Sequence, residues 1–159
     1  MKKIFPLFVI FFISLNVNAT ETLLPNTSLN EKYLKIINEY YNCRVLRLNL
    51  SKEERLITDN IRRELYAKVE CYINTANNLF DTFYPTKAQT LKNNLNTSIN
   101  SYSNVLRDKY DAMDFYPEGS ITEDYIASDL EYFTDNIVSE YIKQCGQVLD
   151  IKKNILDKE

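Results

Sequence analysis

Between residues 57 and 83, Ile57, Ile61, Leu65, Val69, Tyr72, Ala76, Leu79 and Phe83 recur at steps of four and three. That spacing returns each side chain to one stripe of a helix with 3.6 residues per turn, and no strand could use it. Three further runs share the pattern. Leu29, Tyr33, Ile36, Tyr40 and Cys43 form a stripe over 29–46, with Leu34, Ile37 and Tyr41 beside it. Ala88, Leu91, Leu95, Ile99, Tyr102, Leu106, Tyr110 and Met113 form a narrow seam near a 3.5-residue repeat. Ile126, Leu130, Phe133, Ile137, Tyr141, Cys145 and Val148 form the fourth.

Punctuation agrees with periodicity. "SLNE" (28–31), "SKEE" (51–54) and "SITE" (120–123) each place a Ser ahead of a run, with Glu three residues on. In such a box the Ser accepts from a first-turn amide while the Glu reaches back to the Ser amide. Pro85 stops the second helix, predicted over 52–84, and suits the first turn of the third. Gly146 either caps the fourth helix or marks a kink before a continuation to about 156. Only "VLRLNL" (45–50) hints at a strand, and it is short. The expected fold is all-α: an antiparallel four-helix bundle with short connections and one disulfide, built from residues 28–159 as a single domain.

The segment before it reads as an address. Lys2 and Lys3 precede the apolar "IFPLFVIFFISL" (4–15), and "VNA" (17–19) has the small-residue form of a cleavage site. The apolar run falls short of the roughly 20 residues that span a bilayer. Residues 1–19 are therefore expected to be a secretory signal cleaved after Ala19, with a polar arm over 20–27. Export to the periplasm or the exterior follows. The remaining 140 residues carry 17 basic and 22 acidic side chains, a net charge of −5. A chain with that balance and no basic face is a poor partner for nucleic acid.

Histidine is absent. That removes a His general base, a Cys–His pair and a Cys/His zinc site. There is no Gly-rich phosphate loop and no nucleophile elbow. Glu64 and Glu70 flank the second helix's stripe and are the nearest thing to a glycosidase carboxylate pair, but Arg62, Arg63 and Lys68 beside them suit an ordinary amphipathic helix. Asp108, Asp111, Asp114, Glu118, Glu123 and Asp124 crowd one turn without the spacing of a calcium loop. No enzyme, no cofactor and no metal site is expected.

Cys43, Cys71 and Cys145 allow one disulfide in an oxidising compartment. Counting height along helices joined by short turns, Cys71 and Cys145 have the smallest offset. Their pairing is expected, with Cys43 a buried thiol and Cys43–Cys145 the runner-up.

Surface features then direct the functional reading. Between Gly119 and Glu140 the fourth helix carries six acids and no Lys or Arg. Asp124, Glu131 and Asp135 project away from its core stripe, and Val138, Ile142, Leu149 and Leu156 continue a second apolar line. That line needs a cover, either the first helix or a second copy of the chain. In "DAMDFYPEGSITED" (111–124), Phe115 and Tyr116 have no local role and are ringed by Asp114, Glu118 and Asp124. Tyr66, Tyr125 and Tyr132 lie off the stripes in a chain with twelve tyrosines. Together these point to an exported protein that binds and neutralises another protein, as an inhibitor or immunity protein does. The partner-binding candidates are Asp114, Phe115, Tyr116, Glu118, Asp124, Glu131 and Asp135, and the expected target is a basic enzyme or toxin. The alternative is a structural or chaperone-like envelope protein acting as a homodimer.

Overall fold

A computed structural model describes residues 26–54, 58–112 and 120–156. It contains four helices, α1 (Asn26–Arg44), α2 (Thr58–Phe83), α3 (Ala88–Asp111) and α4 (Ser120–Leu156), and no strand among the described residues. The all-helical bundle read from periodicity is therefore what the chain forms.

Residue pairs give the arrangement. Between α1 and α2, Tyr33 meets Phe83, Glu39 meets Asn78 and Cys43 meets Cys71, so numbers climb on one helix as they fall on the other. Between α3 and α4, Tyr102 stacks on Phe133 and Tyr110 on Tyr125, again in opposite sense. Between α2 and α4 they climb together: Arg62 with Asp124, Tyr72 with Glu131, Phe80 with Tyr141. α2 and α4 make the most extensive contact, whereas α1 and α3 do not meet. In cross-section the bundle is a rhombus with α2 and α4 on its short diagonal.

The core lies along that diagonal. Tyr72, Leu79 and Phe80 of α2 and Ile126 and Val138 of α4 are fully buried, and Leu95 and Leu106 of α3 close one side. Phe80 meets the Tyr141 ring edge-on at 4.9 Å, a geometry that places positive ring edge on negative ring face. Ile36, Tyr40 and Cys43 close the other side from α1. Val138 and Ile142, on the second apolar line of α4, are buried in the bundle, and Tyr33 of α1 donates to the Ile142 carbonyl. The predicted α2 stripe holds from Val69 to Leu79, but Ile61 is exposed where α1 no longer reaches.

Element boundaries shift in informative places. α1 begins at Asn26, so "SLNE" lies inside it and not at its start. The box at 51–54 forms as written: Ser51 N–H donates to Glu54 Oε2 (2.8 Å) and Glu54 N–H to Ser51 Oγ (3.1 Å). It caps a short turn, while α2 proper is described from Thr58. Pro85 sits in the turn between helices, where Lys87 N–H donates to the Tyr84 carbonyl, and α3 starts only at Ala88. α4 starts at Ser120 and passes unbroken through Gly146 to Leu156.

Gly146 has a packing reason, not a capping one. A methyl group there would strike the hydroxyl and ring of Tyr33. With only a hydrogen, α4 lets Tyr33 lie across it and donate to the Ile142 carbonyl at 2.8 Å.

The disulfide joins Cys43 to Cys71, with Cα atoms 5.5 Å apart. The expected Cys71–Cys145 pairing is wrong, and so is Cys43 as a thiol; Cys145 is the buried cysteine outside the bridge. The cause is the connection after α1. Residues 45–50 are not helical and run back along α2, where Glu64 holds them: Arg47 donates to its Oε1 (2.7 Å) and the Leu48 amide to its Oε2 (3.0 Å). α1 therefore ends level with the middle of α2, which brings Cys43 down to Cys71. Counting from a tight turn placed them about 23 Å apart along the axis.

Candidate functional site

The acids of α4 are placed by its helical period on the flanks of the core stripe, where each meets a neighbouring helix. Asp124 accepts from Arg62 Nε at 2.9 Å and Glu123 from Arg107 Nη1 at 2.6 Å. Asp129 accepts from the Tyr110 hydroxyl at 2.6 Å, with Lys109 at 3.7 Å. Glu131 lies 3.4 Å from the Tyr72 hydroxyl. Asp135 accepts from the Tyr40 hydroxyl and pairs with Arg44 at 3.6 Å, and its side chain is only 16% exposed. The sequence suggested an outward row of acids. In the fold Asp124, Glu131 and Asp135 are half-buried cross-links from α4 to α2 and α1.

These bonds raise the neighbouring phenols. Burial first, then the Asp135 carboxylate, pushes Tyr40 up to about 12. Tyr72 is raised too, by burial and then by Asp135 and Glu131. Asp135 and then the Tyr40 phenolate favour the charged form of Arg44 and raise it. The chemistry is that of neutral hydroxyls clamped on carboxylates, which holds helices in register.

Asp114, Phe115, Tyr116 and Glu118 lie outside the described residues. Of the aromatics read as off-stripe, Tyr66 and Tyr125 are partly covered, at 37% and 43% exposure, while Tyr132 stands at 67%. Tyr125 stacks on Tyr110, and burial and then the Glu123 carboxylate raise the Tyr66 phenol.

The fold adds residues that the first-helix stripe concealed. Leu34 (58%), Tyr41 (56%) and Val45 (71%) are large, apolar and exposed. They are spaced seven and four apart: Leu34 and Tyr41 share a face of α1 about two-fifths of a turn from Ile36, Tyr40 and Cys43, and Val45 follows in the turn just past its end. That spacing was a usable signal: Leu34 and Tyr41 share a face of a helix with only two neighbours. Arg44, the last residue of α1, lies over the Tyr40 ring at 5.7 Å and reaches Asp135. Tyr132 precedes Asp135 by one turn of α4. Tyr41, Arg44 and Val45 thus stand at the end of α1 where Arg44 and Tyr40 tie it to Asp135, Tyr132 lies one turn from that acid on α4, and the disulfide fixes α1 one residue from Arg44.

Among the described residues no three Cys, Asp or Glu side chains converge as metal ligands, and no helix is long and apolar enough to cross a membrane. Glu64, one of the two carboxylates with a conceivable catalytic reading, is the buried anchor of residues 47 and 48; Glu70 is exposed. No family model, no curated protein and no solved structure matches the chain.

Proposed function

We propose that this is an exported helical protein that binds and neutralises another protein, in the manner of an inhibitor or immunity protein. The observation that carries the reading is the set of exposed side chains flanking the Arg44–Asp135 tie between α1 and α4: Tyr41 and Val45 near Arg44 in the chain and Tyr132 one turn from Asp135, each more than half exposed. Tyr and Arg supply most anchors of protein interfaces, and they act best when held rigid before the partner arrives. Here the disulfide and the Tyr40–Asp135–Arg44 cluster hold them. The net charge of −5 after signal removal favours a basic target and a salt-dependent encounter. Export rests on residues 1–19 as read from their composition.

The test is to capture partners with the exported protein, then rebuild the complex from two purified components. Tyr41→Ala with Tyr132→Ala should weaken binding at least tenfold at unchanged melting temperature, and added salt should slow association. Failure to rebuild any stoichiometric complex, or a double variant that binds normally, overturns the reading. The homodimer reading drew on the second apolar line of α4. Val138 and Ile142 of that line are buried within the bundle, and light scattering at low concentration decides between the two readings.

A further inference from the structure

The two halves of the disulfide have different surroundings. Cys43 is 0% exposed and sits within the core. Cys71 is only partly buried, and it lines an open groove of about 420 Å³ between α1 and α2. A dissolved nucleophile therefore has one approach to the bond, through the groove and from the Cys71 side.

The buried side of the bond is arranged to receive what its opening would release. Thr75, buried on α2 one turn past Cys71, donates its hydroxyl hydrogen to the Cys71 carbonyl at 3.0 Å. Its oxygen lies 3.5 Å from Cys43 Sγ, and a bridged sulfur has no hydrogen to give it. A free Cys43 thiol does have one, and the Thr75 oxygen keeps a lone pair to accept it. Nor does α1 depend on the bridge alone. Tyr33 donates to the Ile142 carbonyl and Tyr40 to Asp135, both on α4, so α1 stays docked when the bridge is cut.

We infer that Cys71 is a thiol-exchange site, at which the folded protein takes up a small dissolved thiol as a mixed disulfide. The attacking thiolate forms a bond to Cys71 Sγ while the Cys43–Cys71 bond breaks. The electron pair leaves on Cys43 Sγ, which takes a proton from water and becomes a buried thiol. One disulfide replaces another, one thiol is consumed and one is made, so nothing is oxidised overall. Attack by Cys43 on the mixed disulfide expels the small thiol and restores the bridge. The charged side chains lining the groove are Glu39 and Glu70, so a thiol that carries an ammonium enters more readily than one that carries a carboxylate.

The test compares cysteamine with mercaptopropionate, thiols of similar size and opposite charge, on the folded, exported protein. Samples are quenched in acid and mapped by mass spectrometry. The adduct should be found on Cys71, with Cys43 free. Each rate is divided by the same thiol's rate on the urea-unfolded chain; on that scale cysteamine should lead by about fivefold at low salt, and salt should shrink the lead. Alkylation of the buried Cys145, run in parallel, gives the rate at which the whole molecule opens. Exchange at Cys71 should be faster than that. The inference is overturned if the folded protein gives no adduct, or if the adduct is found on Cys43 as often as on Cys71. It is equally overturned if exchange only keeps pace with Cys145 alkylation, or if the charge preference matches that of the unfolded chain. No partner protein enters the experiment, so its outcome is separate from that of the binding reading.

Discussion

Gly146 shows how one hydrogen atom in the right place sets a helix crossing. In an open helix, Ala for Gly would be stabilising by about 1 kcal/mol. Here the added methyl displaces Tyr33, which is packed edge-on against Phe83 and cannot swing away without losing that contact and its bond to Ile142. Gly146→Ala should therefore destabilise by about 1–2 kcal/mol in urea unfolding. Tyr33→Ala should abolish most of that penalty, a non-additivity that a double-mutant cycle reads directly. The phenol clamps make a second prediction. Tyr40 and Tyr84 are both pushed up to about 12, Tyr40 by burial and Asp135, Tyr84 by burial and the Cys145 thiol. The folded state holds these protons more tightly than the unfolded chain does. Their contribution is complete below about pH 10, the unfolded value, and disappears as pH climbs toward 12. The urea midpoint should be flat from neutrality to about pH 9 and then fall, less steeply in Tyr40→Phe.

At the scale of elements, the connection from α1 to α2 decides more than its length suggests. Glu64 is a buried carboxylate whose two oxygens are taken by Arg47 and the Leu48 amide. Glu64→Ala leaves that amide without its partner and should cost about 1–3 kcal/mol, with faster hydrogen exchange at Leu48 as the local readout. Removing the disulfide as Cys43→Ala with Cys71→Ala should cost about 2–4 kcal/mol. Alkylation before and after unfolding should find Cys145 alone reactive, and only once unfolded. Periodicity made the number, order and inward faces of the helices readable, because burying an apolar stripe is a local pattern with one solution. Boundaries and heights were not readable in the same way. The box at Ser51 is chemically correct yet the described α2 begins seven residues beyond it, and nothing local in "VLRLNL" says that Glu64, sixteen residues beyond Leu48, will hold it. The wrong cysteine pairing followed from that one segment. Likewise Asp124, Glu131 and Asp135 were legible as an off-core face, but the hydroxyls and guanidinium groups that claim them sit on other helices.

For the whole molecule, the short diagonal between α2 and α4 implies a graded stability. Both central helices are covered on several sides, whereas α1 and α3 each lean on them from one side and never on each other. Hydrogen exchange should be slowest over the middle of α2 and α4, around Tyr72–Phe80 and Ile126–Val138, and faster in α3. A pattern with α3 best protected would contradict this arrangement. The bridge between the first two cysteines has a further consequence for how the molecule is made. A chain delivered N-terminus first presents Cys43 and Cys71 to an oxidant while Cys145 is still 74 residues behind. The earliest bond that can form is then also the final one, and no reshuffling by an isomerase is needed. Cys145 is the last of the three to be delivered, and in the folded chain it lies buried on α4 outside the bridge.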